Sequence, residues 1–141
     1  MGNTERTLVL VKPDGVRRGL TGEILRRIEA KGYRLVTLEL RTATRDVLER
    51  HYFEHVGKPF YEPLVEFMSS GPVVAAVVEG ERVVEGCRAL MGKTDPTSAL
   101  PGSIRGDLGR DWGGAVQENL VHGSDSVDSA SREIAIWFPT L

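Results

Sequence analysis

Six consecutive apolar residues, Val73 to Val78, follow the chain break at Gly71-Pro72. A short, β-branched run without polar alternation reads as a central strand. A central strand needs partners on both edges, so the remaining strands must assemble around it. Thr7 to Val11 is a second buried-strand pattern. Tyr33 to Arg41 alternates, with Val36, Leu38 and Leu40 on one side and Thr37, Glu39 and Arg41 on the other, as in a strand with one wet face. A fourth short strand, Asn119-Leu120-Val121, delivers His122 into the polar turn Gly123-Ser124-Asp125-Ser126.

Between these strands lie helical patterns. From Thr21 to Lys31, Ile24, Leu25 and Ile28 share a face and Gly32 stops the helix. Thr44 is placed to cap a helix carrying Val47, Leu48, His51 and Tyr52, and a second helix runs from Tyr61 to Met68. Val83, Val84, Cys87, Leu90 and Met91 recur at helical spacing, as do Val127, Ala130, Ile134 and Trp137 behind Ser126. Lys12-Pro13-Asp14-Gly15 reads as a turn, and Lys93 to Gly114 as a long irregular stretch. The order predicts an α+β sandwich over residues 1–141, a single domain. In it a ferredoxin-like, four-stranded, mostly antiparallel sheet carries helices on one face.

The chain has 18 Lys and Arg against 20 Asp and Glu, a net charge of -2, so nothing global attracts it to nucleic acid or an acidic membrane. Its one cysteine, Cys87, permits no internal disulfide. There is no apolar run of ~20 residues and no signal-peptide core in Met-Gly-Asn-Thr-Glu-Arg, which leads us to expect a cytoplasmic protein without a membrane partner.

His122 admits three roles. It could be a structural histidine capping a strand. It could join Ser124 and Asp125 in hydrolysis, although triad members normally converge from separate elements and no G-x-S-x-G elbow is present. Or it could be a nucleophile itself, because neutral imidazole is available at pH 7. Lys12, Arg88, Thr94 and Arg105 stand at element ends or in the irregular stretch. Converging, they would supply the cations and hydroxyl that a polyphosphate needs, without a P-loop.

Four segments carry a resemblance. Thr7-Leu8-Val9-Leu10-Val11-Lys12-Pro13-Asp14-Gly15, Gly71-Pro72-Val73-Val74, Pro101-Gly102-Ser103-Ile104-Arg105-Gly106-Asp107 and Asn119 to Ser126 are similar to the signatures of nucleoside diphosphate kinases, in the family's order. The similarity runs from about Arg6 to Phe138. One stretch departs, since Leu108 to Gln117 is longer than the family's usual segment by about one helical turn, ~4 residues.

The resemblance implies γ-phosphate transfer from a nucleoside triphosphate, mainly ATP, to a nucleoside diphosphate. The mechanism would be ping-pong, through phosphohistidine at Nδ1 of His122. It assigns catalytic roles to His122, Glu133, Lys12 and Tyr52, with Glu133 fixing the tautomer of the ring. Nucleotide binding falls to Lys12, Phe60, Arg88, Thr94, Arg105, Val116 and Asn119, the base lying between Phe60 and Val116 with broad specificity. Mg²⁺ would ride on the phosphates, with Asp125 reaching it through water. A homohexamer, or else a homotetramer, is implied through the loop from Pro96 to Ser103. The competing function is a non-catalytic nucleotide-binding regulatory module of the same fold.

Overall fold

The computed structural model describes residues 4–141. In chain order the strands are β1 (Thr4–Val11), β2 (Arg34–Arg41), β3 (Val73–Glu81) and β4 (Val121–Gly123). The helices are α1 (Pro13–Arg17), α2 (Thr21–Ala30), α3 (Arg45–His51), α4 (Tyr61–Met68), α5 (Val83–Met91), α6 (Ile104–Leu108) and α7 (Val127–Trp137), with a 3₁₀ turn at Phe53–His55. One sheet has the order β2-β3-β1-β4, every pair antiparallel. This is the ferredoxin-like α+β arrangement.

The apolar run Val73 to Val78 is central, flanked by β1 and β2. Alternate residues of β1 and β3 point to opposite faces, and in both strands each set is apolar. Val9, Val11, Val74, Ala76 and Val78 pack with Ile24 and Ile28 of α2, Val83, Cys87 and Met91 of α5, and Ile104 of α6. On the other face, Leu8, Leu10, Val73 and Ala75 pack with Leu48, Tyr61, Val65, Met68 and Trp137. Helices therefore cover both faces, not the one face expected, because strands without polar alternation leave no side that water can wet. Each large side chain buried in these layers contributes about 1.5–3 kcal/mol.

Three local departures have physical causes. Pro13, Asp14 and Gly15 form the first turn of α1 rather than a β-turn, Pro13 occupying the start of a helix where its missing N–H is not needed. The irregular stretch contains α6, whose five residues are too few to show periodicity; Ser103 caps it by accepting the Gly106 amide at 3.0 Å. In β2 the register shifts between Leu35 and Thr37, and Leu38 and Leu40 lie 48% and 65% exposed on this edge strand of the sheet. Among the described residues no helix is long and apolar enough to cross a membrane.

Gly106 brings α6 against the preceding loop: a Cβ there would stand 1.9 Å from the Leu100 carbonyl oxygen. Gly106→Ala should lower stability to urea by about 1–3 kcal/mol, as overpacking against backbone does.

Candidate functional site

Strand β4 is only three residues long, and its placement depends on the residue before it. Leu120 adopts a left-handed backbone, φ 74°, which costs a non-glycine residue about 1–2 kcal/mol. Two hydrogen bonds offset that cost. The Leu120 amide donates to Oδ2 of buried Asp14 at 3.1 Å, and its carbonyl accepts from the Lys12 amide at 2.8 Å. Gly15 is what allows the approach, because a Cβ there would meet the Leu120 carbonyl at 3.1 Å and Val11 Cγ1 at 2.8 Å. The motif Lys12 to Gly15 thus fixes how the chain enters β4.

His122 pairs with Leu10 and so shares the face covered by α3, α4 and α7. Its Nε2 lies 2.8 Å from Oε1 of Glu133 in α7, which is 6% exposed. The same carboxylate oxygen accepts from Ser124 Oγ at 2.7 Å, and Ser124 Oγ in turn accepts the Leu8 amide at 3.3 Å. Burial opposes ionisation of Glu133, but the His122 and Ser124 hydrogen bonds prevail and hold its carboxyl below the ordinary value. An ionised Glu133 assigns the proton of neutral His122 to Nε2, which leaves Nδ1 a lone pair.

His122 opens onto a cleft of about 320 Å³ also lined by Lys12, Tyr52, Arg88, Thr94, Arg105, Asn119, Asp125 and Glu133. Residues from the turn after β1 to α7, more than a hundred positions apart in sequence, therefore share one cavity. Arg105 is anchored through backbone carbonyls: Nε donates to Asn119 at 3.2 Å, Nη1 to Gly92 at 3.0 Å and Nη2 to Val121 at 2.7 Å. Lys12 Nζ donates to Asn119 Oδ1 at 2.8 Å, and Asn119 Nδ2 to the Thr94 carbonyl at 2.9 Å. Arg88 reaches the Gly123 carbonyl at 3.4 Å. Burial, then Arg105, brings Lys12 down to about 8; burial, then Arg88, brings Arg105 down to about 10. Mutual repulsion among half-desolvated cations makes the cleft a receptor for a polyanion.

Tyr52 is pushed well above the ordinary phenol value by burial and stays neutral. Asp125 lies below the ordinary carboxyl value because the Ser129 hydroxyl and the charge of Arg88 favour its anion. Phe60 is 46% exposed, does not line the cleft, and packs edge to face on His55, which does, at 5.0 Å between ring centroids. Val116 does not line this cleft. It faces a neighbouring groove with Gly114, Pro63, Glu66 and Phe67, placed there by the longer segment before Asn119. That segment is tied down by the Asp111 amide on Thr97 Oγ1 at 3.0 Å and by Trp112, which Arg110 and Arg18 approach at 4.2 and 5.7 Å.

His51, His55 and Arg132 also line the cleft and were not singled out by sequence. His51 belongs to the apolar stripe of α3, so its pattern signals core alone. Arg132 precedes Glu133, donates to the Arg50 carbonyl at 3.1 Å and lies over Phe53 at 4.5 Å, joining α7 to the α3 hairpin.

Residues 5–141 match the family model described as nucleoside diphosphate kinase. A nucleoside diphosphate kinase of Streptomyces avermitilis is 67% identical over 137 residues, 96% of this chain and 97% of the relative. That of Mycobacterium avium is 61% identical over 96% and 98%. Among solved structures, the Halobacterium salinarum nucleoside diphosphate kinase in complex with CDP superposes with a TM-score of 0.90. Its identity is 48%, over 96% of this chain and 88% of that one. A Borrelia burgdorferi transition-state mimic with bound vanadate and ADP gives 0.90 at 36% identity, over 96% and 87%.

Lys12 sets a pH signature. Its folded value near 8 lies below the unfolded value of 10.5, so between these the unfolded chain binds more protons and stability rises with pH. Urea unfolding from pH 8 to 10 should show wild type gaining stability relative to Lys12→Met.

Proposed function

The chain belongs to the nucleoside diphosphate kinase family, and we propose that its cleft performs the family's phosphate exchange through Nδ1 of His122. A triphosphate, mainly ATP, donates its γ-phosphate: the Nδ1–P bond forms as the P–O bond to the β-phosphate breaks, and the nucleoside diphosphate leaves. A second nucleoside diphosphate reverses the step. The observation that carries this reading is the Glu133 carboxylate on Nε2 of a ring that opens onto gathered cations. A carboxylate there orients the ring and stabilises positive charge as Nδ1 takes phosphorus.

Arg88, Thr94 and Arg105 would hold the β- and γ-phosphates, stabilising charge on the transferring oxygens. Because Arg105 is anchored by carbonyls, it meets the phosphate without reorganising. Lys12 and Asn119 would meet the ribose 3′ hydroxyl and the nearby phosphate, and Tyr52 would steady the wall beside His122. The base would lie against Phe60, with Val116 approaching from its own groove. Stacking without base-edge hydrogen bonds tolerates any base.

Among the described residues the one cluster of three metal-binding groups is His51, His122 and Glu133. Two imidazoles already committed to hydrogen bonds do not suit a hard cation, which favours Mg²⁺ carried by the nucleotide with Asp125 reaching it through water. Bound so, Mg²⁺ neutralises phosphate charge. Self-association as a hexamer, with a tetramer as the alternative, is supported by Leu100, 74% exposed in the loop from Pro96 to Ser103. The cytosol, where free thiols such as Cys87 persist, is the proposed setting.

Incubation with γ-labelled ATP should give an acid-labile, base-stable phosphoprotein. His122→Ala should bind nucleotide yet take no label; label retained in that variant would refute the carrier role. Glu133→Gln should slow label uptake by about 10²-fold or more, as loss of general acid–base support does. Chelation by EDTA should abolish exchange and excess Mg²⁺ restore it. Sedimentation should give six chains per particle.

A further inference from the structure

His51 is 5% exposed yet lines the cleft beside His122. Its Nδ1 accepts the indole N–H of Trp137 at 3.1 Å, a buried donor with no other partner among the described residues. A neutral imidazole that accepts at Nδ1 carries its proton on Nε2, so Trp137 chooses the tautomer of His51. The His51 ring then meets His122 edge to face, centroids 4.7 Å apart and planes at 75°. It meets Tyr52 in the same manner at 4.5 Å and 89°.

A nitrogen of His51, a nitrogen of His122 and an oxygen of Glu133 all lie within 4.8 Å of one another, a spacing compatible with a metal ion. The hydrogen bonds argue otherwise. Trp137 occupies the acceptor lone pair of His51, and Glu133 occupies Nε2 of His122. What remains is a wall: one hydrogen bond at Nε2 leaves an imidazole free to swing about the N···O line, and a second contact is needed to stop it.

We propose that His51, oriented by Trp137, is a positioning residue for phosphate transfer, holding the His122 ring against rotation and keeping the space beside it uncharged. This rests on His122 being the phosphate carrier. Burial, then His122 itself, keeps His51 from taking a proton, pushing it down to about 3. Lys12, just after β1, and Arg132 from α7 act in the same direction, and Glu133 from α7 is the opposing charge. Tyr52, which follows α3, is neutral. His51 therefore stays uncharged across the range in which a free histidine titrates.

Two variants test it. Trp137→Phe keeps an aromatic ring but frees Nδ1 of His51; His51→Gln keeps an acceptor for Trp137 but removes the ring. In each, single-turnover labelling by γ-labelled ATP should slow by about tenfold, the equivalent of one pKa unit, with nucleotide affinity unchanged. The acid limb of the rate–pH profile should move to higher pH. The ¹⁵N resonances of His122, recorded without nucleotide, should broaden as the ring swings between orientations. Wild-type resonances and an unmoved pH profile in a folded Trp137→Phe protein would overturn the proposal, whatever its stability. If His51→Gln fails to fold, Trp137→Phe decides alone. Because the resonances are read without turnover, they report on His51 even if labelling shows that His122 is not the carrier.

Discussion

One buried carboxylate oxygen ties the site to the sheet. Oε1 of Glu133 takes Nε2 of His122 from β4 and the hydroxyl of Ser124, and that hydroxyl also receives the Leu8 amide of β1. Two adjacent strands and the covering helix α7 therefore meet at a single acceptor in a region where water does not compete. A buried anion of this kind persists only while its donors are in place. The position of α7 is thus coupled to the identity of the free nitrogen on His122.

The cationic side of the cleft is built from backbone. Arg105 is gripped by carbonyls at the ends of α5 and β4, and Asn119 links Lys12 to the Thr94 carbonyl. These carbonyls are available because they lie just past the end of α5 and at or just before the start of β4, where the regular ladders leave acceptors unused. The same interruptions that erase sequence periodicity supply the acceptors. Leu120, held in its left-handed conformation by Asp14, is the strained joint through which the two halves connect.

The four strands and most of the helices between them were legible because the β-branched runs are short and the helical stripes are well spaced. The covering of both sheet faces was implicit in Val73 to Val78, whose lack of polar alternation leaves neither side fit for water. Motif likeness selected Lys12, Tyr52, Arg88, Thr94, Arg105, Asn119, His122 and Glu133, which share one cleft, whereas periodicity alone left Lys12, Arg88 and Arg105 as scattered charges. Val116 illustrates the limit: counting back from Asn119 names the residue, but the extra residues before it set a path that counting cannot supply. His51 was hidden for another reason. Its hydrogen-bond partner Trp137 lies 86 positions away on another helix, so in α3 alone it is indistinguishable from core.

The half-desolvated ammonium of Lys12, already drawn down to about 8, makes occupancy of the cleft an acid–base event. A phosphate arriving beside it raises its affinity for a proton, so near that pH each anion captured withdraws hydrogen ion from the solvent and each departure returns it. Buffer and ligand are in this way thermodynamically linked: alkalinity competes with any polyanion that enters the cleft.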